Sequence, residues 1–263
     1  MDTLRIDEHN YILSRPTPWD ERVFGFKTNE LVDVRYQDIE SLRHLIALFD
    51  RSNRESNVRF SYTRVNTEDK LLRHVLSSFS FYYAETSLSV GINKMDKQDF
   101  GANFKNDLPL TVPDTSDYDQ IKEIARSSFD YSRFHEDYNI DIEKARDRYF
   151  YWIDDLVAQG KQALIYKRDG IVKSFLFYER HDASVDLILA GSIRGSDILS
   201  YYFWPSFMTY LQQGGCKKAT TVISASNIGI LNLYARLNFK FEKTLIGFHK
   251  MYDVQGGSEG VRA

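Results

Sequence analysis

The spacing of hydrophobic residues along the chain predicts an alternation of helices and strands. Apolar side chains recur every three or four positions over 37–52 and 71–79, which predicts two amphipathic helices. The segments 59–65 and 81–92 are rich in β-branched and aromatic residues, a composition typical of strands. A polar stretch without periodicity follows at 93–107 and predicts a boundary between two domains.

After this boundary the predicted elements follow a more regular order. A strand over 108–112 precedes two helices, for which Asp117 and Asp141 are the expected N-terminal caps. The next segments are predicted to form three strands (163–167, 171–179 and 184–190) and a helix (197–213). A strand (219–224), a helix (227–237) and a last strand (239–252) follow. Asp169-Gly170, between the first two of these strands, is a hairpin signal. The order indicates an α/β fold with a mixed sheet.

Composition and charge exclude several classes of protein. Of 263 residues, 43% are hydrophobic and 27% charged, as is ordinary for a globular protein. The net charge of −3 lacks the basic excess of a nucleic-acid binder. The single cysteine, Cys216, excludes an intrachain disulfide, and the histidines lack metal-ligand spacing, so no metal is expected. No segment has the apolar length of a membrane span or signal peptide, so we expect a soluble, cytoplasmic protein.

Three motifs in the second part of the chain point to one family. They are a strand, turn and helix over 111–129, a strand, loop and helix over 185–213, and the run from Asn227 through Leu233-Tyr234 to Asn238-Phe239. With the order of elements, they resemble the GCN5-related N-acetyltransferase superfamily. The last run is the most specific, because it resembles the family's N-x-x-A-x-x-L-Y-x-x-x-G-F ending, with Asn238 where glycine is usual.

The resemblance implies that acyl-CoA is a co-substrate. In that fold the pantetheine arm lies between two parallel strands that separate, and the pyrophosphate sits on the N–H groups that open the next helix. The residues that it assigns to coenzyme A are Ile188, Leu189, Ala190, Arg194, Gly195, Ser196, Asp197, Ile198, Leu199 and Asn227. The family has small residues at the positions of Asp197 and Leu199, and this chain departs from it there.

The resemblance also assigns a catalytic role to Tyr234. Attack of an amine on a thioester expels a thiolate, and a phenol with a pKa near 10 is able to donate a proton to that sulfur. The alternative is a tyrosine that only packs its ring on the helix. Glu179, His181 and Asp186 are candidate bases, although a partly neutral amine needs none, and His249 lies either in the acceptor cleft or on the exterior.

A narrower resemblance concerns the acceptor. Trp19-Asp20, Phe24-Gly25-Phe26, the loop 132–135 and the segment 151–153 look like elements of the dTDP-fucosamine acetyltransferases and related nucleotide-sugar N-acyltransferases. It implies transfer of an acetyl or larger hydroxyacyl group, such as 3-hydroxybutyryl, to a dTDP-linked amino-dideoxy sugar for bacterial surface glycans. The substrate-binding residues would be Tyr131, Arg133, Phe134, His135 and His181.

The implied organisation has two domains. A partial N-terminal copy of the acetyltransferase fold spans 1–104, the catalytic domain spans 105–255, and 256–263 is a flexible tail. The aromatic run at 201–204 fits a core, a wall of the acceptor site or the contact surface of a homodimer. Two alternatives stay open: an acetyltransferase for another amine, such as a peptide, protein or polyamine, and a binding module of the same fold without catalysis.

Overall fold

The computed structural model describes residues 1–101, 108–195 and 197–253, apart from the side chains of 197–201. The chain divides into two compact units, one formed by Met1–Ala84 with the segment from Leu245 onward, the other by Glu85–Thr244. We call them unit 1 and unit 2. The predicted boundary between 104 and 105 and the tail 256–263 fall outside the described residues, so both stay predictions.

Unit 1 is a five-stranded sheet with three helices. In order, its elements are β1 (Asp2–Arg5), β2 (Tyr11–Pro16), α1 (Pro18–Phe24), β3 (Thr28–Arg35), α2 (Ile39–Glu55), β4 (Phe60–Asn66) and α3 (Lys70–Ser78), and the last strand of the chain, β11 (Lys240–Met251), joins them. The strand order is β1-β2-β3-β4-β11. Only β3 and β4 are parallel.

The two amphipathic helices predicted for this unit are confirmed as α2 and α3. Asp38 caps α2 by accepting a hydrogen bond from the Ser41 N–H at 2.8 Å, and Asp69 caps α3 through the Leu72 N–H at 2.9 Å. The apolar stripe of each helix is buried in the core of the unit: Leu42, Leu45, Ile46, Phe49, Leu72, Val75 and Leu76. The strands β1 to β3 were not predicted, because their short segments lack a clear alternation.

Unit 2 is a six-stranded sheet with helices on both faces. Its elements are β5 (Tyr82–Asn93), β6 (Leu110–Thr111), α4 (Asp117–Ser128), α5 (Ile142–Ala158), β7 (Gln162–Arg168), β8 (Ile171–His181), β9 (Ser184–Ser192), α6 (Asp197–Gln213), β10 (Lys218–Ser224) and α7 (Ile228–Arg236). The strand order is β5-β10-β9-β8-β7-β6, with β9 and β10 parallel and the other pairs antiparallel. The sheet is mixed, so the predicted fold class is confirmed.

Each face of this sheet carries a hydrophobic core. Phe203 and Phe207 of α6 and Leu233 of α7 pack on one face, the α6–α7 face. The other, the α4–α5 face, is covered by α4 and α5 through Ile121 and Ile153. Alternate residues of a strand point to opposite faces. The two cores therefore lie on opposite faces of the sheet, between the strands and their helices.

Two local predictions have definite outcomes in unit 2. The turn between β7 and β8 is confirmed, since Asp169 and Gly170 both have positive φ, 53° and 74°, as a two-residue hairpin turn requires. The expectation that Asp117 caps α4 is wrong, because Ser116 holds the cap position. Asp117 is the first helical residue, and its carboxylate lies 2.5 Å from the Lys167 ammonium.

The two units share a structural repeat. A strand, a 17-residue helix, a 7-residue strand and a 9-residue helix recur as β3-α2-β4-α3 and as β9-α6-β10-α7. In each copy the parallel strands pair over only three residues. The cap positions Asp69 and Asn227 correspond, and the position seven residues further on is Leu76 in unit 1 and Tyr234 in unit 2.

Candidate functional site

The gap between β9 and β10 is the central feature of the candidate site. These parallel strands pair only where Ser184–Asp186 face Lys218–Thr220, and no register continues beyond. The edges that follow, from Leu187 on β9 and Thr221 on β10, therefore turn backbone N–H and C=O groups toward the gap. Such groups need partners. An extended ligand that lies between the strands is able to supply them.

A β-bulge lies on β9 just past the point of separation. Tyr178 faces Leu187 and Phe177 faces Leu189, so Ile188 is the extra residue of the bulge. Leu187 belongs to the core on the α6–α7 face, whereas Leu189 belongs to the core on the α4–α5 face. Bulges redirect backbone and side chains and are common beside active sites. Here the bulge falls at Ile188–Ala190, among the residues that the resemblance assigns to coenzyme A.

A cleft of about 420 Å³ occupies the open end of this gap. Its apolar wall is formed by Phe203 and Trp204 of α6 and Ile230 of α7. The remaining lining residues are Ser128, Phe129, Asp130, Tyr131, Ala190, Gly191, Ser192, Ile193, Arg194, Gly195 and Asn227. A cleft with an apolar wall and several convergent polar groups is typical of a small-molecule site.

The structure brings several of the residues assigned to coenzyme A together in this cleft. Ala190, Arg194, Gly195 and Asn227 line it. Ile188 and Leu189 form the adjoining bulge and pack toward the α4–α5 face. Ser196 and the side chains of Asp197, Ile198 and Leu199 lie outside the described residues, so their assignments stay predictions.

Arg194 stands at the rim, where β9 leads into α6. Its guanidinium lies 2.6 Å from an Asp130 carboxylate oxygen and donates a second hydrogen bond to the Ser127 carbonyl. The side chains of Arg194 and Asp130 are both more than half exposed, at 56% and 52%. A phosphate group at the start of α6 would thus meet an accessible cation and the positive end of a helix dipole.

Gly191 fits β9 only because it has no side chain. A Cβ at this position would lie 2.8 Å from Cε1 of Phe175 and 3.2 Å from Cε2 of Phe129. Aromatic rings therefore fill the α4–α5 side of β9 where the strand lines the cleft. On the opposite wall, Asn227 caps α7 by accepting a hydrogen bond from the Ile230 N–H at 3.2 Å, which fixes the helix that carries Tyr234.

Tyr234 is buried on the α6–α7 face of the gap. Its side chain is 3% exposed, and its ring centroid lies 5.1 Å from that of Trp204 and 4.6 Å from that of Phe239. Burial raises the pKa of Tyr234 far above that of a free phenol, while a hydrogen bond with Thr221 opposes the shift. The Thr221 hydroxyl in turn donates to the Leu187 carbonyl at 2.8 Å. The phenol is therefore protonated and stands where the strands separate.

The loop between α4 and α5 (residues 129–141, the α4–α5 loop) holds four of the predicted substrate-binding residues. Tyr131 is 47% exposed and lines the cleft. Phe134 is buried, with the Arg133 guanidinium 5.1 Å from its ring centroid. His135 Nδ1 lies 2.8 Å from the Ser132 hydroxyl, and burial lowers the pKa of His135 to about 4, so its ring is neutral at pH 7. Of the four, Tyr131 alone is among the cleft-lining residues.

The structure brings the three candidate bases together. His181 Nε2 lies 3.2 Å from an Asp186 carboxylate oxygen and 3.9 Å from one of Glu179. Asp186 also accepts a hydrogen bond from the Thr220 hydroxyl at 2.5 Å. This exposed cluster lies at the closed end of the gap rather than in the cleft, so His181 is not brought together with the residues of the α4–α5 loop.

His249 lies in the core of unit 1. It is fully buried, and its ring centroid is 4.9 Å from that of Phe60 and 6.1 Å from that of Tyr62. Of the two places that the sequence left open for His249, the structure therefore excludes the exterior. The core around it consists of aromatic rings, which explains why an imidazole with a large flat surface is accommodated there.

Sequence reasoning missed Glu136. This residue belongs to the α4–α5 loop, and its two carboxylate oxygens accept hydrogen bonds from the hydroxyls of Ser224 at 2.5 Å and Ser226 at 2.8 Å. The serines lie 88 and 90 residues further along the chain, where β10 ends. No local spacing links the three residues, so only the fold reveals their contact.

Within the described ranges, no three histidine, cysteine, aspartate or glutamate side chains are grouped so as to hold a metal ion. In the same part of the chain, no helix has the length and apolarity to cross a membrane.

The parallel strands that separate past a bulge, with a helix opening at the end of the first strand, define the class of fold. Solved structures of GCN5-related N-acetyltransferases are similar to this chain. A GCN5-related N-acetyltransferase from Sphaerobacter thermophilus matches with a TM-score of 0.64 and 10% identity, over 92% of this chain and 76% of that one. A tandem GNAT protein from the clavulanic acid biosynthesis pathway matches with a TM-score of 0.58 and 11% identity, over 88% and 76%.

A third similar structure is that of a protein of unknown function. It is a functionally unknown conserved protein from Staphylococcus epidermidis ATCC 12228, with a TM-score of 0.66 and 8% identity, over 95% of this chain and 94% of that one. No family model and no curated protein matches the sequence. The chain thus has the GCN5-related N-acetyltransferase fold, as the sequence predicted, while these structures offer no counterpart to the narrower nucleotide-sugar resemblance.

Proposed function

We propose that this protein is an N-acyltransferase that moves an acyl group from acyl-CoA to an amine. The observation that carries the proposal is the gap between β9 and β10, with its bulge at Ile188 and its cleft at the open end. A pantetheine arm is an extended chain of amides, so it matches the free backbone edges along the gap. Arg194 and the start of α6 offer the charge that a pyrophosphate needs.

The chemistry is a direct transfer without an acyl-enzyme. The amine nitrogen forms a bond to the thioester carbon, the carbon–sulfur bond breaks, and the departing thiolate takes a proton. Backbone N–H groups of the bulge, near Ile188 and Ala190, polarise the carbonyl. Tyr234 is protonated and donates to the sulfur. The amine releases its own proton to solvent or to Asp186, which lies two residues before the bulge.

Two acceptors have support. The likeness of the α4–α5 loop to nucleotide-sugar N-acyltransferases, together with the exposed Tyr131 at the cleft, supports a dTDP-linked amino-dideoxy sugar of a bacterial surface glycan. In that case Tyr131 stacks on thymine, and Arg133 binds the diphosphate. A cationic amine is the second candidate, and the carboxylates of Asp186 and Glu136 beside β10 favour it. The apolar wall suits an acetyl or a 3-hydroxybutyryl group.

Release of free thiol from acyl-CoA tests the proposal. Acetyl-CoA and 3-hydroxybutyryl-CoA are each offered with dTDP-amino sugars, with diamines and with a lysine peptide. We expect thiol release that depends on the acceptor and falls at least tenfold in Tyr234→Phe. Absence of release with every acceptor, together with donor binding, would indicate the binding module without catalysis. Absence of donor binding as well would overturn the proposal.

A further inference from the structure

One side of β10 carries a row of residues on the α4–α5 face, of which the middle one is exposed. Thr220, Val222 and Ser224 alternate with inward-facing neighbours and so share this face. Val222 is 45% exposed, which makes it a bare apolar position in the middle of the row. At the closed end Thr220 donates its hydroxyl proton to Asp186, and at the open end Ser224 donates to Glu136. The row therefore has a carboxylate at each end, Asp186 and Glu136, and the apolar side chain of Val222 between them.

Both carboxylate oxygens of Glu136 are held by neutral partners. Its hydrogen-bond donors are the hydroxyls of Ser224 and Ser226, which are neutral and orient the carboxylate without compensating it. The two serines hold both oxygens, so the side chain is fixed at the end of β10 before any ligand arrives. A fixed, uncompensated carboxylate beside an exposed strand is a binding site for a cation.

A buried hydroxyl beside Ser224 also indicates a ligand at this site. Ser87 of β5 stands directly opposite Ser224, so its side chain shares the α4–α5 face. The side chain of Ser87 is fully buried, and its Oγ has no hydrogen-bond partner within the described part of the chain. Buried hydroxyls are normally satisfied, and an N–H donor of a bound ligand, or a water that it orders, would satisfy this one.

The spacing of the row sets the size of the ligand. Thr220 and Ser224 are four residues apart on one strand, about 13 Å at 3.3 Å per residue. Another carboxylate reinforces the closed end, because an oxygen of Glu242 lies 2.6 Å from where a Cβ on Gly91 would stand, and Gly91 faces Thr220 across the sheet. Negative charge at both ends with an apolar middle matches an aliphatic chain with a cationic nitrogen at each end.

We propose that the acceptor is a linear diamine or polyamine and that Glu136 determines this specificity. The proposal rests on the proposed acyltransfer. The reacting nitrogen lies at the closed end of the row, near Asp186 and the bulge, and the second ammonium group binds Glu136. The methylene chain between them covers Val222. An anionic diphosphate would instead meet two carboxylates, which repel it.

A series of acceptors of rising length tests the proposal on the full chain. The wild-type protein is assayed for thiol release from acetyl-CoA with α,ω-diamines of four to twelve carbons, with spermidine, and with monoamines of matched length. We expect kcat/KM for the best diamine to exceed that of its monoamine about tenfold or more, as a charge-assisted hydrogen bond predicts. The proposal would be overturned if kcat/KM did not change with the length of the diamine, or if it were equal for diamines and monoamines.

Variants at Glu136 separate specificity from structure. Glu136→Gln keeps the shape and the hydrogen-bonding capacity toward the serines but removes the charge, so the ratio of diamine to monoamine kcat/KM should fall about tenfold. Glu136→Asp should retain part of the ratio. The matched control is Glu123→Gln on α4, an exposed carboxylate. Equal losses on both acceptors in Glu136→Gln would show a structural role only.

Two failures are distinguishable. If no amine supports thiol release and acetyl-CoA does not bind, the proposed acyltransfer has failed. If thiol is released with dTDP-amino sugars and not with diamines, the acyltransfer stands and the diamine proposal is overturned.

Discussion

Replacing Tyr234 by phenylalanine separates its two possible roles, packing and proton donation. The ring contacts with Trp204 and Phe239 survive in Tyr234→Phe, because they involve only the aromatic ring. The variant loses the hydroxyl and its hydrogen bond with Thr221, which costs about 1 kcal/mol of folding free energy, or a shift in Tm of roughly 2–4 °C. A general acid is worth far more to the reaction, on the order of 100-fold or more.

The assay therefore compares turnover and stability in one variant. We expect kcat for thiol release at saturating donor to fall at least tenfold, with donor affinity within about twofold of the wild type. The matched control is Tyr252→Phe, another buried phenol, which accepts a hydrogen bond from Asn53 at 3.0 Å in unit 1. It should lose comparable stability and keep its turnover. Wild-type turnover in Tyr234→Phe, or an equal loss in both variants, would refute the catalytic role.

Three further predictions concern the cleft and its loop. Gly191→Ala should destabilise the protein by about 1–3 kcal/mol in urea denaturation, because its Cβ would press on the rings of Phe175 and Phe129; full stability would contradict this. Arg194→Gln should lose under about 1 kcal/mol of stability, since its ion pair is exposed, yet bind coenzyme A about tenfold more weakly in calorimetry. His135 has a folded-state pKa of about 4, below its unfolded value, so its contribution to stability is complete above about pH 6.5 and is lost as the pH falls toward 4. Urea midpoints of His135→Gln should accordingly drop less between pH 7 and pH 4.5 than those of the wild type.

The regular elements of unit 2 were predictable because their signals are local. The stripes of α4 and α5, the Asp169-Gly170 turn and the cap at Asn227 each depend on residues close in sequence. The same holds for the motif that contains Tyr234, because the motif is continuous in sequence. The sequence gives only a weak indication that the two halves are copies of one fold. Equivalent positions, such as Leu76 and Tyr234, differ in chemistry.

The features that the sequence did not reveal depend on contacts between distant segments. The contact between Glu136 and Ser224 spans 88 residues, and no local pattern indicates that the pairing of β9 with β10 ends at Thr220. The bulge at Ile188 is likewise visible only in the register with β8. The cluster of His181 with Asp186 is short-range, but its place at the closed end of the gap follows from the fold alone.

Unit 1 repeats the strands and helices that frame the proposed donor site, and its own side chains occupy the corresponding positions. The Tyr36 hydroxyl donates to Asp69 at 2.6 Å, joining the end of β3 to the cap of α3. Asp38 places its own carboxylate on the first turn of α2, where a bound anion would otherwise lie. Leu76 stands where unit 2 has Tyr234. We therefore expect one donor site in each chain, in unit 2.

Calorimetric titration of the full chain with acetyl-CoA tests the central claim most directly. We predict saturable binding with one acetyl-CoA per chain, and a rise in Tm of roughly 5 °C when the ligand is about 100-fold above its Kd. Tyr234→Phe should bind equally well, since the phenol acts on the departing sulfur and not on the ground state. An absence of binding at millimolar acetyl-CoA, with no change in Tm, would contradict the assignment of the gap between β9 and β10 as the donor site.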